Sequence, residues 1–347
     1  MSADRPFVSV LVPCRNERRY IASCLDSILA TDYPPDRFEV LVVDGRSDDG
    51  TRDVVESYTA RHRLVRLVDN AKRITPTALN IGIREAAGEI VVRMDAHVFY
   101  PPEYIPGLVA ALEETGADNV GGVLVTRPAD TRPTARAIAV ALSHPFGVGN
   151  SYFRIGVRER RWVDTIAFFC CRRELFDRVG MFDEELVRHQ DGEFNARLIK
   201  RGGRILLTPD VASYYYARGT LRQVARMYFQ YGYFKPLVAR KLGRIMTVRQ
   251  MIPPLFVVSL LGTGLLAVWL PAAGALCAGI GGAYATAVLT CSGLAARRHG
   301  TRCAAVLAVV FPLLHFSYGL GFIRRLLEFV ALRRPRARAV AELPLSR

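Results

Sequence analysis

One short run of residues constrains the fold of this chain most, because Ile90 to His97 have the pattern of a buried strand that delivers Asp95 and His97 to its end. Side chains at positions i and i+2 share one side of an extended chain, so both groups could reach one divalent cation. Open α/β sheets bind ligands at the carboxyl ends of their strands. The run therefore predicts such a sheet with a metal site at its edge. A solvated aspartate and a structural histidine at an ordinary strand end are the alternative.

Strand-like and helix-like segments alternate through the sequence around this run. The strands are predicted over Val8 to Pro13, Phe38 to Val43 and Leu64 to Asp69, and the helices over Ile21 to Leu29, from Thr51, and over Thr75 to Ala87. This alternation predicts a mostly parallel, doubly wound sheet. The loop after Asp44 has neither a Walker sequence nor a GxGxxG sequence, which argues against a P-loop NTPase and a dinucleotide-binding dehydrogenase.

The C-terminal part of the chain is apolar enough to enter a membrane. No charged residue occurs over the 47 positions from Gln250 to Ala296. Since about 20 apolar residues cross a bilayer, this run can hold two spanning helices with a turn near Pro271. A buried hairpin in a soluble protein is the alternative. A second apolar run extends from Cys303 to Ile323 and is interrupted only by His315.

The positive charge of the chain is concentrated at this apolar end. The net charge is +15, and residues 218–347 hold 18 Lys and Arg against two acids. Because the remainder is nearly neutral, we expect anionic lipid headgroups and no nucleic acid as partners. Basic clusters flank both apolar runs, and such clusters prefer the cytoplasm. Two spans satisfy that preference and three do not, so the segment Cys303 to Ile323, broken by Pro312 and containing Gly319 and Gly321, is predicted to be re-entrant or interfacial. A full third span is the alternative.

A series of spaced motifs resembles family 2 glycosyltransferases with the GT-A fold. The motifs are Pro13-x-x-Asn16-Glu17, then Val43-Asp44-Gly45-x-Ser47-x-Asp49-Gly50-Thr51, then Asn80-x-Gly82, and then Gly88 followed by Asp95-Ala96-His97. The Asp-Ala-His sequence is similar to the succinoglycan-biosynthesis ExoA-like subgroup, whereas most relatives have Asp-x-Asp. The resemblance covers roughly residues 6 to 240. It implies a Rossmann-like mixed, mostly parallel sheet flanked by helices, here followed by C-terminal transmembrane helices.

The resemblance also implies a site for a nucleotide-sugar donor, most simply a UDP-sugar. The residues that match donor-binding positions are Pro13, Asn16, Glu17, Asp44, Arg73, Asn80 and Asp95. Asp44 is expected to accept a hydrogen bond from a uracil-like ring, and Arg73 and Asn80 are expected near the ribose or the pyrophosphate. A helix-capping or turn role is the alternative for Glu17 and Asp49.

The chemistry of such a donor calls for a cation. A nucleoside diphosphate leaves with concentrated negative charge, which a divalent cation bound to its oxygens would stabilise. Asp95 offers a hard oxygen ligand and His97 a softer nitrogen ligand. This pair is predicted to hold Mn²⁺, or else Mg²⁺, with manganese the better match for the imidazole.

The candidate catalytic base lies in the segment from His189 to Leu198, where polar residues open an amphipathic helix. Asp191 would lie near the helix N-terminus, where its ionised form is favoured. By resemblance, Asp191 matches the aspartate that deprotonates the acceptor hydroxyl, and Gln190 replaces a preceding glutamate. A base on the face opposite the leaving group inverts the anomeric centre. An N-cap role is the alternative for Asp191, and Glu193 is the nearest substitute base.

Two further segments resemble parts of the acceptor side, namely His144 to Asn150 and Trp162 to Thr165. Asp164 and Glu193 are predicted there, and plain turn chemistry is the alternative for the two segments. The family's Gln-x-x-Arg-aromatic signature would fall at Met227 to Tyr231, where both polar anchors are missing. In processive relatives this signature holds the growing polymer, so its loss favours the transfer of one sugar per encounter.

These features predict four parts: a cytoplasmic GT-A domain over residues 1–217, a basic amphipathic interfacial segment over 218–249, a membrane domain over 250–323 and a basic tail over 324–347. The predicted protein is an inverting, non-processive hexosyltransferase that moves glucose from UDP-glucose to a lipid-linked saccharide in cell-surface or exopolysaccharide biosynthesis. It would be a multi-pass protein of the cytoplasmic membrane with its catalytic domain in the cytoplasm. The alternative is a catalytically weakened relative that acts as a membrane scaffold or partner-binding module, because Gln190, Met227 and Gln230 depart from the family pattern.

Overall fold

The structure, a computed structural model, describes residues 5–244 and 247–331. It separates into two compact units. The first unit comprises Met1–Val125 and Ser151–Tyr216, and the second comprises Thr126–Asn150 and Ala217–Arg347. The basic tail predicted over 324–347 lies largely outside the described residues, which end at residue 331.

Strands of the described residues form one mixed sheet. They are β1 Val8–Cys14, β2 Phe38–Asp44, β3 Val65–Asp69, β4 Ile90–Arg93, β5 Val98–Phe99, β6 Asn119–Arg127, β7 Arg161–Trp162, β8 Cys170–Arg172 and β9 Ile205–Tyr216. The order is β3-β2-β1-β4-β8-β6-β9-β5, and β7 pairs with β9 beside this path. The first four strands of this order are parallel, and β8 joins β4 antiparallel. The predicted α/β fold with a Rossmann-like parallel half is confirmed.

Helices follow the strands, as the sequence predicts. They are α1 Ile21–Leu29, α2 Thr51–Arg61, α3 Thr75–Glu85, α4 Tyr104–Thr115, α5 Pro133–Ala141, α6 Pro145–Val148, α7 Tyr152–Ile155, α8 Leu175–Val179, α9 Gln190–Lys200, α10 Leu221–Leu242, α11 Ile252–Leu266, α12 Pro271–His299 and α13 Thr301–Ala331. In the first unit, β1 and β2 are apolar and buried along almost their whole length, which is typical of parallel strands covered on both faces. Three aromatic rings pack together in the hydrophobic core: Phe176 of α8, Phe182 of the following loop and Phe194 of α9.

The strand that leads to Asp95 is shorter than the sequence predicts. It ends at Arg93, and Asp95 and His97 lie in the short loop before β5. The backbone N–H of Val98 donates to the carbonyl oxygen of Asp95 at 3.2 Å and closes a turn there. The expectation that these two side chains share one side of an extended strand is therefore wrong, because the chain has already turned.

The second unit combines an internal segment of the chain with the C-terminal helices. Helix α5 buries Ala135, Ile138 and Ala141 and packs against α13 and α10. This division differs from the contiguous boundary predicted at residue 217, since residues 126–150 cluster with the C-terminal helices. The apolar face of α5 explains the difference, because small side chains on one face let helices approach closely.

Three helices are long and apolar enough to cross a membrane: Val248–Leu266, Pro271–His299 and Thr301–Val330. The first two bury only 11% and 6% of their most apolar windows within the protein, whereas the third buries 39%. The third segment is one continuous helix through Pro312, so the predicted break at that proline is wrong. Its glycines serve close packing: a Cβ atom at Gly321 would overlap the Phe229 carbonyl of α10, and one at Gly319 would lie 2.6 Å from Cγ2 of Val257 in α11.

Candidate active site

The loops that follow β1 and β2 are hydrogen-bonded to each other. The backbone N–H of Asn16 donates to Oγ of Ser47 at 2.8 Å, and its amide nitrogen donates to Oδ1 of Asp48 at 2.6 Å. The backbone N–H of Asp48 in turn donates a hydrogen bond to Oδ1 of Asn16 at 3.0 Å. Asn16 has a φ of 54°, a conformation that asparagine tolerates better than most residues. Two motifs that are separate in sequence thus form one rigid loop pair.

Asp44 lies at the base of this loop pair and is fully buried. Its carboxylate accepts hydrogen bonds from the backbone N–H and the hydroxyl of Ser47, at 3.0 and 2.5 Å, and Arg52 lies 3.5 Å away. Burial, reinforced by the charge of Asp44, raises the pKa of the Cys14 thiol well above its ordinary value, so the thiol stays protonated beside the carboxylate. Pro13 is half-buried in β1 opposite Val43.

The turn role left open for Asp49 is the one observed. Its carboxylate accepts from the backbone N–H of Thr51 at 3.0 Å and from that of Arg18 at 3.2 Å. Burial alone would raise the pKa of Asp49, but these hydrogen bonds hold it below its ordinary value. The side chain of Glu17, unlike that of Asp49, contacts a predicted metal ligand. Its Oε1 lies 3.3 Å from Nδ1 of His97.

Asp95 is held by Arg93, which the sequence analysis did not single out. Nε and Nη2 of Arg93 donate to the two carboxylate oxygens at 2.7 and 3.0 Å. Arg93 is only 6% exposed, and its third nitrogen, Nη1, is buried without a hydrogen-bond partner among the described residues. Burial alone would lower the pKa of Arg93, but the charge of Asp95 and, more weakly, that of Asp191 raise it above the ordinary value. Arg93 therefore forms an ion pair with Asp95 and lies within electrostatic range of Asp191.

The donor groups at this loop fit a divalent cation. Each carboxylate oxygen of Asp95 keeps a lone pair beyond its bond to Arg93, and the side chains of Asp95, His97 and Glu17 are 15%, 26% and 20% exposed. Carboxylate and imidazole together suit Mn²⁺. Within the ranges that the structure describes, no three Asp, Glu, His or Cys side chains form a ready metal cluster, so the assignment of Asp95 and His97 as ligands stays a prediction.

Asp191 lies in the first turn of α9, as the sequence predicts. The N-cap position is taken by His189, with a φ of 63°, so the alternative of Asp191 as the N-cap is wrong. Its carboxylate accepts only a local bond from Gly192 N–H at 2.8 Å among the hydrogen bonds of the described residues. Asp191 is thus a partly exposed carboxylate at a helix N-terminus, within electrostatic reach of Arg93.

Two predicted site residues are occupied by structural contacts instead. Asn80 is 3% exposed. Its amide nitrogen donates to the carbonyl oxygen of Phe182 at 2.9 Å and to the carboxylate of Glu184 at 3.0 Å. Its amide oxygen accepts from the backbone N–H of Phe182 at 2.9 Å. Glu193 is 5% exposed and pairs through both oxygens with Arg197, at 2.6 and 2.9 Å. These contacts favour structural roles over the donor-side role predicted for Asn80 and the acceptor-side or substitute-base role predicted for Glu193.

The last two predicted residues lie apart from these contacts. Arg73 is exposed between β3 and α3, with a φ of 61°. Asp164 is half-buried next to Thr165, whose hydroxyl accepts from Asn195 of α9 at 3.2 Å. Asp164 is therefore next in sequence to a residue that contacts α9, and its acceptor-side role stays a prediction.

Comparison with known proteins gives a matching family and similar sequences. Residues 9–180 match the family model described as Glycosyl transferase family 2. The chain is 31% identical over 324 residues to "Succinoglycan biosynthesis protein ExoA" of Rhizobium meliloti, which covers 92% of this chain and 95% of the relative. It is 28% identical over 243 residues to "Dolichyl N-acetyl-alpha-D-glucosaminyl phosphate 3-beta-D-2,3-diacetamido-2,3-dideoxy-beta-D-glucuronosyltransferase" of Methanococcus voltae, over 68% of this chain and 74% of the relative.

A solved structure has the same fold. "Mannosyltransferase PcManGT from Pyrobaculum calidifontis in complex with GDP-Man and Mn2+" superposes with a TM-score of 0.57 and 23% identity. The match covers 94% of this chain and 88% of that chain. The similarity thus extends over both compact units.

Proposed function

We propose that this chain, which belongs to glycosyl transferase family 2, is an inverting, non-processive hexosyltransferase that moves glucose from UDP-glucose to a lipid-linked saccharide. The relatives support the acceptor class, since one is named for succinoglycan biosynthesis and another for transfer to a dolichyl-linked sugar phosphate. The mannosyltransferase of the same fold was solved with a sugar nucleotide and Mn²⁺. The loss of polar anchors at Met227 and Gln230, both buried in α10, supports the transfer of a single sugar.

One observation carries the proposal: the buried ion pair between Arg93 and Asp95 lies within electrostatic range of Asp191. The guanidinium pairs with both oxygens of Asp95 and responds to the charge of Asp191. A transferase needs its leaving-group site and its base close together but on opposite faces of one sugar, and this electrostatic interaction supports a common site for the two carboxylates.

In the proposed reaction, Asp191 accepts the proton of the acceptor hydroxyl as its oxygen forms a bond to the anomeric carbon. The bond from that carbon to the donor phosphate breaks at the same time, and the nucleoside diphosphate leaves with the electron pair. Asp95 and His97 would hold Mn²⁺, which supplies charge stabilisation for the diphosphate when bound. The loop pair built on Asn16 and Asp44 would hold the nucleoside.

The membrane location is part of the same proposal. The exposed apolar helices α11 and α12 would form a spanning hairpin, and the basic residues that flank it would keep both of its ends in the cytoplasm. The acceptor would then be a saccharide on a lipid at the cytoplasmic face.

A transfer assay tests the proposal directly. Full-length protein in detergent would be incubated with Mn²⁺, lipid extract and separate UDP-glucose, UDP-galactose and GDP-mannose. We expect UDP-glucose to be the best donor and the product to be a β-glucosyl lipid, as read from the anomeric proton coupling by NMR. An α-linked product would contradict inversion, and a strong preference for GDP-mannose would contradict the donor. Absence of both transfer and donor hydrolysis with all three would favour the scaffold alternative.

A further inference from the structure

Besides Arg93, a second arginine lies near the loop that carries the proposed metal ligands Asp95 and His97. The function described so far gives it no role. Arg154 lies on the short helix α7, which is anchored because Tyr152 and Phe153 pack against the core of the first unit. The helix ends at Gly156, whose φ of 85° suits glycine. The backbone position of Arg154 is therefore fixed by its two aromatic neighbours.

The guanidinium of Arg154 lies over a ring that contacts His97. Its Cζ atom is 5.6 Å from the ring centroid of Tyr215, and that ring meets the His97 imidazole edge-on at 5.6 Å. Tyr215 is 8% exposed and belongs to the long strand β9. One buried aromatic ring thus separates a positive charge from a proposed metal ligand, and cation–π contact holds the guanidinium in that position.

One donor group of this guanidinium is unsatisfied. Nη1 of Arg154 is buried and makes no hydrogen bond to any described residue. Arg93 and Arg325 also have a buried nitrogen without a partner in the described part of the chain, but each forms an ion pair with a carboxylate through other nitrogens, and Arg15 and Arg218 each have a buried Nε without a partner there. The guanidinium of Arg154 is distinguished by its place, because it contacts the aromatic rings of Phe153 and Tyr215. The side chain is half-buried, but a buried Nη1 donor without an acceptor is costly, so an anionic ligand that reaches Nη1 would relieve that cost.

We propose that Arg154 binds a phosphate group of a substrate. Guanidinium groups match phosphate oxygens with paired donors and remain charged at any physiological pH. The position beside His97 points to the diphosphate of the sugar nucleotide, where a second positive charge would stabilise the departing group. A phosphate of the acceptor lipid has the same chemistry and is the other source. This inference rests on the proposed function, since it assumes that a phosphate-bearing substrate enters this site.

Binding measurements on the full-length protein test the inference. The variants are Arg154→Met, Arg154→Lys and, as a matched control, Arg158→Met, because Arg158 is an exposed arginine of the following loop. Calorimetry with UDP, GDP and UMP measures the nucleotide arm, and calorimetry with a short-chain polyprenyl phosphate in detergent measures the lipid arm. Circular dichroism melting shows whether each variant is folded.

We expect Arg154→Met to weaken either UDP and GDP binding or polyprenyl phosphate binding by about tenfold or more, with Arg154→Lys intermediate and Arg158→Met unchanged. If the affinity for UDP and GDP falls more than the affinity for UMP, Arg154 binds the diphosphate of the donor. If only the affinity for the polyprenyl phosphate falls, Arg154 binds the phosphate of the acceptor. Unchanged binding of all four ligands by folded Arg154→Met would overturn the inference while leaving the proposed function intact. Wild-type protein that binds none of the nucleotides would instead contradict the proposed function.

Discussion

At the scale of single residues, two acidic side chains on one helix turn have different surroundings. Glu193 is buried and neutralised by Arg197, whereas Asp191 is partly exposed and bonds only to its own helix turn among the described hydrogen bonds. A base must reach a substrate hydroxyl with a free lone pair. Asp191 meets that requirement and Glu193 does not, although the sequence leaves both open.

Asp191→Asn preserves the size of the side chain and removes its basicity. We expect kcat to fall by roughly 10²-fold or more while the affinity for UDP changes little. Asp177→Asn is a suitable control because Asp177 is an exposed carboxylate on the neighbouring helix α8. Steady-state kinetics and calorimetry give the two quantities. An equal loss of nucleotide binding would make Asp191 a donor-site residue.

The proposed metal ligands predict a change in metal preference. Activity should be lost in EDTA and restored by Mn²⁺, and His97→Asp should shift the preference toward Mg²⁺ because a carboxylate is a harder ligand than an imidazole. Binding of Mn²⁺ in the presence of UDP, followed by electron paramagnetic resonance, should weaken in the same variant. Full turnover by metal-stripped protein would remove Asp95 and His97 from the account.

Motif spacing predicts which residues gather at the site but not what they bind. The sequence places Asn16, Asp44 and Asp95 at or just beyond the carboxyl ends of neighbouring parallel strands, and these strand ends meet at one sheet edge. It could not show that the Asn80 amide is already satisfied by Phe182. Arg93 was missed because an arginine inside an apolar strand pattern has no motif of its own, although its i+2 spacing to Asp95 was a usable signal.

At the scale of helices, length and hydropathy do not decide whether α13 crosses the membrane. Its length suits a span, yet other helices of the second unit contact it along its course. Arg136 of α5 acts electrostatically on Cys303, and the carbonyl of Phe146 in α6 lies 2.8 Å from Nε2 of His315. Further along, Tyr233 of α10 bonds Glu328 at 2.5 Å.

The connections to these helices are too short to cross a bilayer. Five residues join β6 to α5, and four join β9 to α10. A fully extended segment of this length reaches at most about 18 Å, whereas the hydrocarbon core is about 30 Å thick. The basic clusters before and after α13 predict that both of its ends lie on one side of the membrane.

Cysteine labelling checks this topology. In a Cys-less background, a membrane-impermeant maleimide added to intact cells should label Ala272→Cys and should leave His299→Cys and Ser346→Cys unlabelled. Position 346 lies outside the described residues, as does the Arg338 cluster before it. External labelling of Ser346→Cys alongside protection of His299→Cys would make α13 a full third span.

The sequence predicts the membrane helices by composition, but their packing depends on distant residues. The glycines near the end of α13 favour a break when read locally, yet Gly321 allows α10 to pack against a continuous helix. The partner, Phe229, is about 90 positions away in sequence, which no local pattern reveals. Similarly, α5 resembles any small amphipathic helix until its neighbours are known.

At the scale of the whole molecule, each compact unit is formed from two separate stretches of the chain. Residues 126–150 leave the sheet, join the C-terminal helices and return at Ser151. The segment His144 to Asn150, predicted to shape the acceptor side, therefore belongs to the unit that contains the apolar helices. Arg249 donates to Oδ1 of Asn150 at 2.7 Å within that unit. This arrangement suits an enzyme whose acceptor is carried by a lipid.

The most direct test of the central claim is mass spectrometry of lipid-linked saccharides from cells that lack the gene. The account predicts that the acceptor accumulates one hexose short of the wild-type glycolipid. Wild-type protein should restore the full-length species, and Asp191→Asn, expressed at the same level, should not. Full restoration by Asp191→Asn would contradict catalysis by this site and would support the scaffold alternative.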